Sequence, residues 1–388
     1  MGLNFGHSPE IQSLQQKVRQ FIDDVVIPRE KEAAADLGRL EAISGELQEK
    51  AKEEGLFLPQ MPREAGGLGL SFEDLAPILE EAGRSLLGPR ALNAAAPDEG
   101  NMHLLYHLAT PEQKKRYLEP LLEGRIRSAF AMTEPMGAGA DPDLLQTVAR
   151  RKGKAFVLSG RKWFITGAEG AAFFIVLARA EEGPTLFLVD GRNPGLQLLR
   201  TVPSMDRWSP GGHGEILLED CEVGEEAVLG KVGEGFAYAQ LRLDPARLTH
   251  CMRWLGAGVR AMELAQAYAT ERMAFGQMLQ DHQAIQFMVA DSHMELHAAR
   301  LMVWHAAWKY AKGERIRHET SMTKVFVSEA VGRVMDRAVQ ITGALGISED
   351  IPLSIFYREV RPFRIYDGPS EVHRASVGKR ALYRRLRP

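Results

Sequence analysis

Six blocks of this 388-residue chain combine side chains and glycines in ways that could do chemistry. The block Arg364-Ile-Tyr-Asp367-Gly368-Pro369-Ser-Glu371-Val-His-Arg374 sets a carboxylate at a Gly-Pro turn close to the C-terminus. Glu271-Arg272-Met-Ala-Phe275-Gly276, followed by His282-Gln283, offers an arginine whose planar fork donates two bonds at once to phosphate oxygens. Gln340-Ile-Thr-Gly343-Ala344-Leu-Gly346 supplies glycines that let backbone approach a ligand closely, although such spacing also ends helices. Phe130-Ala-Met132-Thr133-Glu134-Pro135-Met-Gly-Ala-Gly139-Ala140-Asp141 carries a hydroxyl and main-chain donors, and taken alone it reads as a loop. Lys162-Trp163-Phe164-Ile165-Thr166-Gly167 brings aromatic rings into a β-prone run, where they could serve a ligand or simply the core. The last block is Arg242-Leu-Asp244-Pro245-Ala-Arg247-Leu-Thr-His250-Cys251.

Other constellations point to little. His103 and His107 stand at i, i+4, but no Glu-x-x-His pattern or third ligand follows, so no metal site is expected. Gly230-Lys-Val-Gly-Glu-Gly lacks a closing Lys-Ser/Thr and reads as a turn. No Gly-x-Ser-x-Gly elbow occurs. Forty-eight basic against 51 acidic residues give net −3, so no global field recruits nucleic acid or anionic membrane. The basic run Lys379–Arg387 reads as a solvated last turn, with a phosphate contact as the alternative. Cys221 and Cys251 are the only cysteines, which suits a reducing compartment. Without a signal-like N-terminus or a run of ~20 apolar residues, a cytoplasmic protein is expected.

These blocks need elements to hold them. Residues 1–128 show helical periodicity. Ser8-Pro9 caps a helix bearing Ile11, Leu14, Val18, Phe21 and Val25, which Pro28 should end, and Thr110-Pro111-Glu112-Gln113 is a capping box. Between 129 and 235, the runs Ala155-Phe-Val-Leu, Phe173-Phe-Ile-Val-Leu and Thr185-Leu-Phe-Leu-Val are divided by glycines, which predicts a small antiparallel sheet or barrel. From 236 to 388, helices are expected at about 238–273, 283–312, 317–344 and 370–386, linked as an antiparallel four-helix bundle. The expected fold is therefore multi-domain: all-α, then β, then a helical bundle.

Taken together, the blocks resemble acyl-CoA dehydrogenases over nearly the whole chain. The resemblance implies FAD as cofactor, with Phe130, Met132 and Thr133 at the flavin ring edge and Phe164 and Thr166 along its back face. Met132 and Thr133 then supply fixed donors for the negative charge that reduced flavin carries. It further implies that Arg272, Phe275, His282 and Gln283 grip a neighbouring subunit's FAD. Gln340, Gly343 and Ala344 fall at the adenosine end, and Pro369 and Glu371 also on the cofactor. Asp367 is the implied base, standing where most of the family carries Glu. Arg247, 25 residues before Arg272, takes the place of the active-site arginine. Asp244 falls at a helix-start position near the CoA chain, and Gly368 and Ala140 face the substrate. Departures from the family's commonest pattern are Phe164 for Trp, Ala344 for Gly, Ala140 for Ser, and one inserted residue in the Thr-Glu-Pro loop. The Asp-Gly-Pro wording is similar to one branch, which includes vertebrate proteins fused to phosphotransferase-like domains.

The implied reaction turns a fatty acyl-CoA into a trans-2-enoyl-CoA. Asp367 takes the α-proton, with its carboxylate raised by apolar surroundings and Arg247 tempering that rise by holding the local charge balance. The implied partners are an electron-transferring flavoprotein as acceptor and copies of the chain itself, as a homotetramer. Two rival readings stand beside this one: a nitroalkane oxidase-like flavoenzyme, which also uses an Asp base, and a quiet flavin- or acyl-CoA-binding scaffold.

Overall fold

The computed structural model describes residues 6–137, 139 and 141–383. In chain order, the main helices before the sheet are α1 (Pro9–Phe21), α2 (Leu40–Glu53), α3 (Phe72–Ala82) and α4 (Asp98–Leu108). The strands are β1 (Ser128–Ala131), β2 (Val148–Lys152), β3 (Ala155–Thr166), β4 (Phe173–Ala180), β5 (Gly183–Asp190), β6 (Leu196–Thr201) and β7 (His213–Gly224). The helix α5 (Gly235–Glu271) follows, then a hairpin of β8 (Met273–Ala274) and β9 (Gln277–Met278). The chain closes with α6 (Gln283–Ala311), α7 (Arg317–Thr342), α8 (Leu353–Val360) and α9 (Ser370–Tyr383). It divides into two compact units: residues 1–31, 69–89 and 247–388, and residues 32–68 and 90–246.

Start signals in the sequence act as local chemistry dictates. Ser8 Oγ accepts from the Ile11 N–H, and Pro9 fills a first-turn position that needs no donor. Thr110 and Gln113 form the reciprocal capping box. Pro28 does not end the helical path. A π-turn at Ile22–Val26 and a 3-10 turn at Ile27–Arg29 absorb its missing N–H, and helix resumes at Glu30–Ala35.

The second unit is built on a seven-stranded sheet ordered β1-β4-β2-β3-β7-β6, with β5 on the other side of β4. The apolar run 173–177 lies in β4, a strand buried at nearly every position, as a strand covered on both faces requires. Phe156, Phe174, Val176, Phe187, Val189, Ile216 and Leu218 form its core. The sheet differs from the antiparallel expectation at β4, which pairs parallel with both β1 and β2. Between β1 and β4 the chain first makes β2 and β3, a connection long enough for a parallel return. Two bulges interrupt the β3–β7 ladder, and the second, between Lys162 and Ile165, turns Phe164 into left-handed backbone at φ +51°.

In the first unit, α6 packs against α7 and α3, while α7 also meets α8 and α9. Buried charges are paired here: both guanidinium ends of Arg260 meet Glu30 at 2.7 and 2.8 Å, and Arg84 meets Glu263 at 2.8 Å. The expected bundle helices appear as α5, α6, α7 and α9, the last described to Tyr383. The link from α7 to α9 is not short, however. Residues 343–369 carry a turn of helix at Ala344–Ile347, then α8 and a 3-10 turn at Arg361–Arg364. That excursion delivers Asp367.

Candidate active site

Asp367 and Gly368 are consecutive left-handed residues, φ +53° and +98°, just before α9. Asp tolerates this region better than most side chains, and a β-carbon at Gly368 would come within 2.7 Å of His373 Nε2. Basic side chains hold the turn by its main chain. Arg247 Nε donates to the Asp367 carbonyl at 2.8 Å, and His373 Nε2 lies 3.0 Å from the same oxygen. Lys324 Nζ donates to the Gly368 carbonyl at 2.7 Å. On the side-chain side, His250 Nε2 stands 3.5 Å from Asp367 Oδ2.

Basic groups as well as apolar ones surround this carboxylate. Lys324 is fully buried beneath the Phe363 ring; burial pulls it down to about 8 while the Asp367 carboxylate opposes that fall. Burial likewise lowers His373 to about 4, and the positive charges of Arg247 and Lys324 add to it. Burial lifts the Cys251 thiol to about 12, so it stays protonated. Helix periodicity announces apolar neighbours but not which polar side chains fold back among them. Lys324 did leave one signal: it shares a helical face with Thr320, Val327, Ser328 and Val331, all buried. Asp244 lies well inside α5 rather than at a helix start, because the helix begins at Gly235 and runs through Pro245. Glu371 is exposed in the first turn of α9, and Pro369 is half-buried before it.

A second group belongs to the sheet unit. Met132 and Thr133 follow directly after β1 and are tied to β3. The Thr133 hydroxyl donates to the Trp163 carbonyl at 2.6 Å, and the Trp163 N–H returns to the Thr133 carbonyl at 3.1 Å. Beneath them lies an ion pair that the spacing gave no hint of. Lys162 Nζ, fully buried, donates to Glu134 Oε1 at 2.9 Å and to the Met132 carbonyl at 3.0 Å. Glu134 also accepts from the Gln146 and Thr147 N–H groups and the Thr147 hydroxyl. Burial alone would raise Glu134, but Lys162, Thr147 and Gln146 together hold it at about 2. Phe164 leaves the strand with 44% of its surface exposed, and its ring stands 4.8 Å from Trp163. Thr166 Oγ1 lies 3.1 Å from His213 Nδ1, whose other nitrogen is 2.9 Å from Asp206. Arg242 stacks over Phe130 at 4.4 Å while donating to Asn101. Ala140 lies outside the described residues.

A third group sits on the surface of the helical unit. Phe275 and Gly276, φ +52° and +79°, make the two-residue loop of the β8–β9 hairpin, the left-handed pair such tight turns require. The Phe275 ring is 100% exposed, and Arg272 and Gln283 are exposed beside the hairpin and at the start of α6. His282 ties the two, with ring nitrogens 3.0 Å from Gln277 Nε2 and 3.1 Å from the Ala274 carbonyl. At the end of α7, Gln340, Gly343 and Ala344 are all exposed.

Asp367, Gly368 and Arg247 are thus brought together, as are Met132, Thr133 and the β3 residues, and Arg272 through Gln283. The acyl-CoA dehydrogenase N-terminal domain family matches residues 8–125, the middle domain family 129–221 and the C-terminal domain family 233–382. The chain is 39% identical to a protein of Mycobacterium tuberculosis named probable acyl-CoA dehydrogenase FadE2, over 88% of this chain and 86% of that one. It is 37% identical to mouse acyl-CoA dehydrogenase family member 10 over 97% of its own length, but spans only 37% of that longer protein. A solved structure assigned to an acyl-CoA dehydrogenase from Mycobacterium abscessus covers 98% of the chain, and is itself wholly covered, at 34% identity with a TM-score of 0.93.

Proposed function

From the premise that this chain belongs to the acyl-CoA dehydrogenase family of FAD-dependent oxidoreductases, we propose that it converts a fatty acyl-CoA to its trans-2-enoyl-CoA, with Asp367 as the base. The observation that carries this reading is the Asp367 turn. Arg247 and Lys324 clamp two successive carbonyls, so the carboxylate projects from a fixed left-handed corner. A fixed base matters because a misplacement of about 1 Å can cost on the order of 10²-fold in rate.

The residues present fit FAD. The half-exposed Phe164 face, bounded by the Met132–Thr133 main chain and Thr166, suits a flat ring. The exposed guanidinium of Arg272 suits a pyrophosphate, and Phe275, His282 and Gln283 sit beside it, with Gln340, Gly343 and Ala344 proposed for the adenosine end. When bound, FAD supplies the acceptor for the β-hydride. Asp367 takes the α-proton as a general base, and the two lost hydrogens leave the new carbon–carbon double bond. The Asp367 main-chain N–H is assigned to the thioester oxygen, where it stabilises the developing enolate. Asp244, Gly368 and Ala140 are assigned to the thioester's carrier chain and Pro369 and Glu371 to the flavin side of the turn.

We assign reoxidation to an electron-transferring flavoprotein and the working state to a homotetramer in the cytoplasm. Among the described residues no helix is long and apolar enough to cross a membrane. An anaerobic titration of the flavin-loaded protein tests the reading. Bleaching by acyl-CoA with formation of the 2-enoyl thioester is expected. Bleaching by nitroethane alone sinks it in favour of an oxidase, and no bleaching by either favours a scaffold.

A further inference from the structure

We propose that His250 is a positioning residue that presents one N–H to the Asp367 carboxylate, in a tautomer set by Tyr366 and Trp254. The proposal rests on Asp367 being the base. Trp254 Nε1 lies 2.7 Å from the Tyr366 hydroxyl. An indole N–H only donates, so the phenol oxygen accepts from it and keeps its own hydrogen to give. His250 Nδ1 stands 3.4 Å from that oxygen and is placed to receive it. A neutral imidazole that accepts at Nδ1 carries its hydrogen on Nε2. Nε2 is the nitrogen 3.5 Å from Asp367 Oδ2. That separation is long for a hydrogen bond, and catalytic contacts commonly tighten once substrate is bound. The ring is boxed in by Tyr366 at 4.9 Å and Phe363 at 6.0 Å between centroids.

This arrangement gives the shortened acid what its length removes. A carboxylate one methylene shorter than Glu has fewer rotamers with which to find the α-proton. A donor at Oδ2 fixes the rotamer and keeps the group ionised. Other titratable or charged groups also surround the turn. Arg247 and His373 meet the Asp367 carbonyl, and Lys324 meets the Gly368 carbonyl while feeling the carboxylate. The buried Cys251 thiol feels Asp367, and Glu371 acts on Lys324. Arg253 acts on the same thiol. Neither main-chain clamp, Arg247 to Asp367 nor Lys324 to Gly368, passes through His250, so changing His250 leaves both in place.

The test uses the flavin-loaded protein, with flavin content and thermal midpoint checking that each variant folds. In His250→Phe, anaerobic flavin reduction by acyl-CoA should fall about tenfold near neutrality. Its acid limb should move to higher pH, because losing a donor makes the carboxylate easier to protonate, while thioester affinity stays unchanged. His250→Gln, whose amide N–H can replace Nε2–H, should restore most of the rate, and a merely structural role would not show this pattern. Nitrogen-15 NMR of His250 should report hydrogen on Nε2, giving way to a tautomer mixture in Tyr366→Phe. An unmoved acid limb in His250→Phe, or hydrogen on Nδ1 in the wild type, overturns the proposal. Asp367→Asn separates the two readings: if it still reduces flavin, the base assignment fails, whereas the tautomer measurement stands independently of activity.

Discussion

The Asp367 turn leaves little room for change at single residues. Gly368 at φ +98° has no room for a methyl group, since His373 Nε2 would sit 2.7 Å from it. Gly368→Ala should therefore cost about 1–3 kcal/mol in urea unfolding and displace His373 from the Asp367 carbonyl. A Gly368→Ala protein as stable as the wild type would mean that the turn is not held as described. The sequence makes Asp367 legible through the words flanking it, and Arg247 through its interval from Arg272. Lys324 and His250 are harder to read. They reach Gly368 and Asp367 across 44 and 117 positions, and no local pattern encodes a side chain folding back so far. The same distance hides the polar neighbours that Asp367 has beside the apolar ones.

At the scale of elements, the Glu134–Lys162 pair pins the end of β1 to β3. Removing one partner leaves an uncompensated buried charge, so Lys162→Met should destabilise by about 3–5 kcal/mol, and Glu134→Gln/Lys162→Met should recover part of that loss. The pH dependence follows in sign. Glu134 sits at about 2 in the fold against its ordinary 4.5, so its contribution is full above about 4.5 and is lost as pH falls toward 2. Urea melts across that window should lose stability in the wild type and lose less in the double variant. Equal slopes would assign the acid limb to other carboxylates. The helices are legible because caps and apolar periodicity are local: Ser8 and Thr110 both begin helices. The β4 run was legible as a strand, yet its parallel neighbours were not, since pairing is decided by distant chain. The π-turn before Pro28 was likewise hidden, as proline signals a lost bond rather than how the chain absorbs it.

For the whole molecule, the exposed Phe275 on a strained hairpin tip, with Met273 and Phe287 exposed nearby in sequence, is apolar surface that an isolated chain would leave in water. Arg272→Ala should weaken flavin retention and shift the assembly toward smaller species together, because ligand and partner both bind the assembled state. Light scattering with flavin absorbance checks this; a fully flavinated monomer of the wild type contradicts it. The central claim is that Asp367 is the base for α,β-dehydrogenation. Single-turnover flavin bleaching by acyl-CoA in Asp367→Asn tests it most directly, since the amide keeps the volume and removes the proton affinity. A fall of several orders of magnitude, on the order of 10³-fold or more, is expected, with thioester binding preserved. Bleaching at the wild-type rate would contradict it.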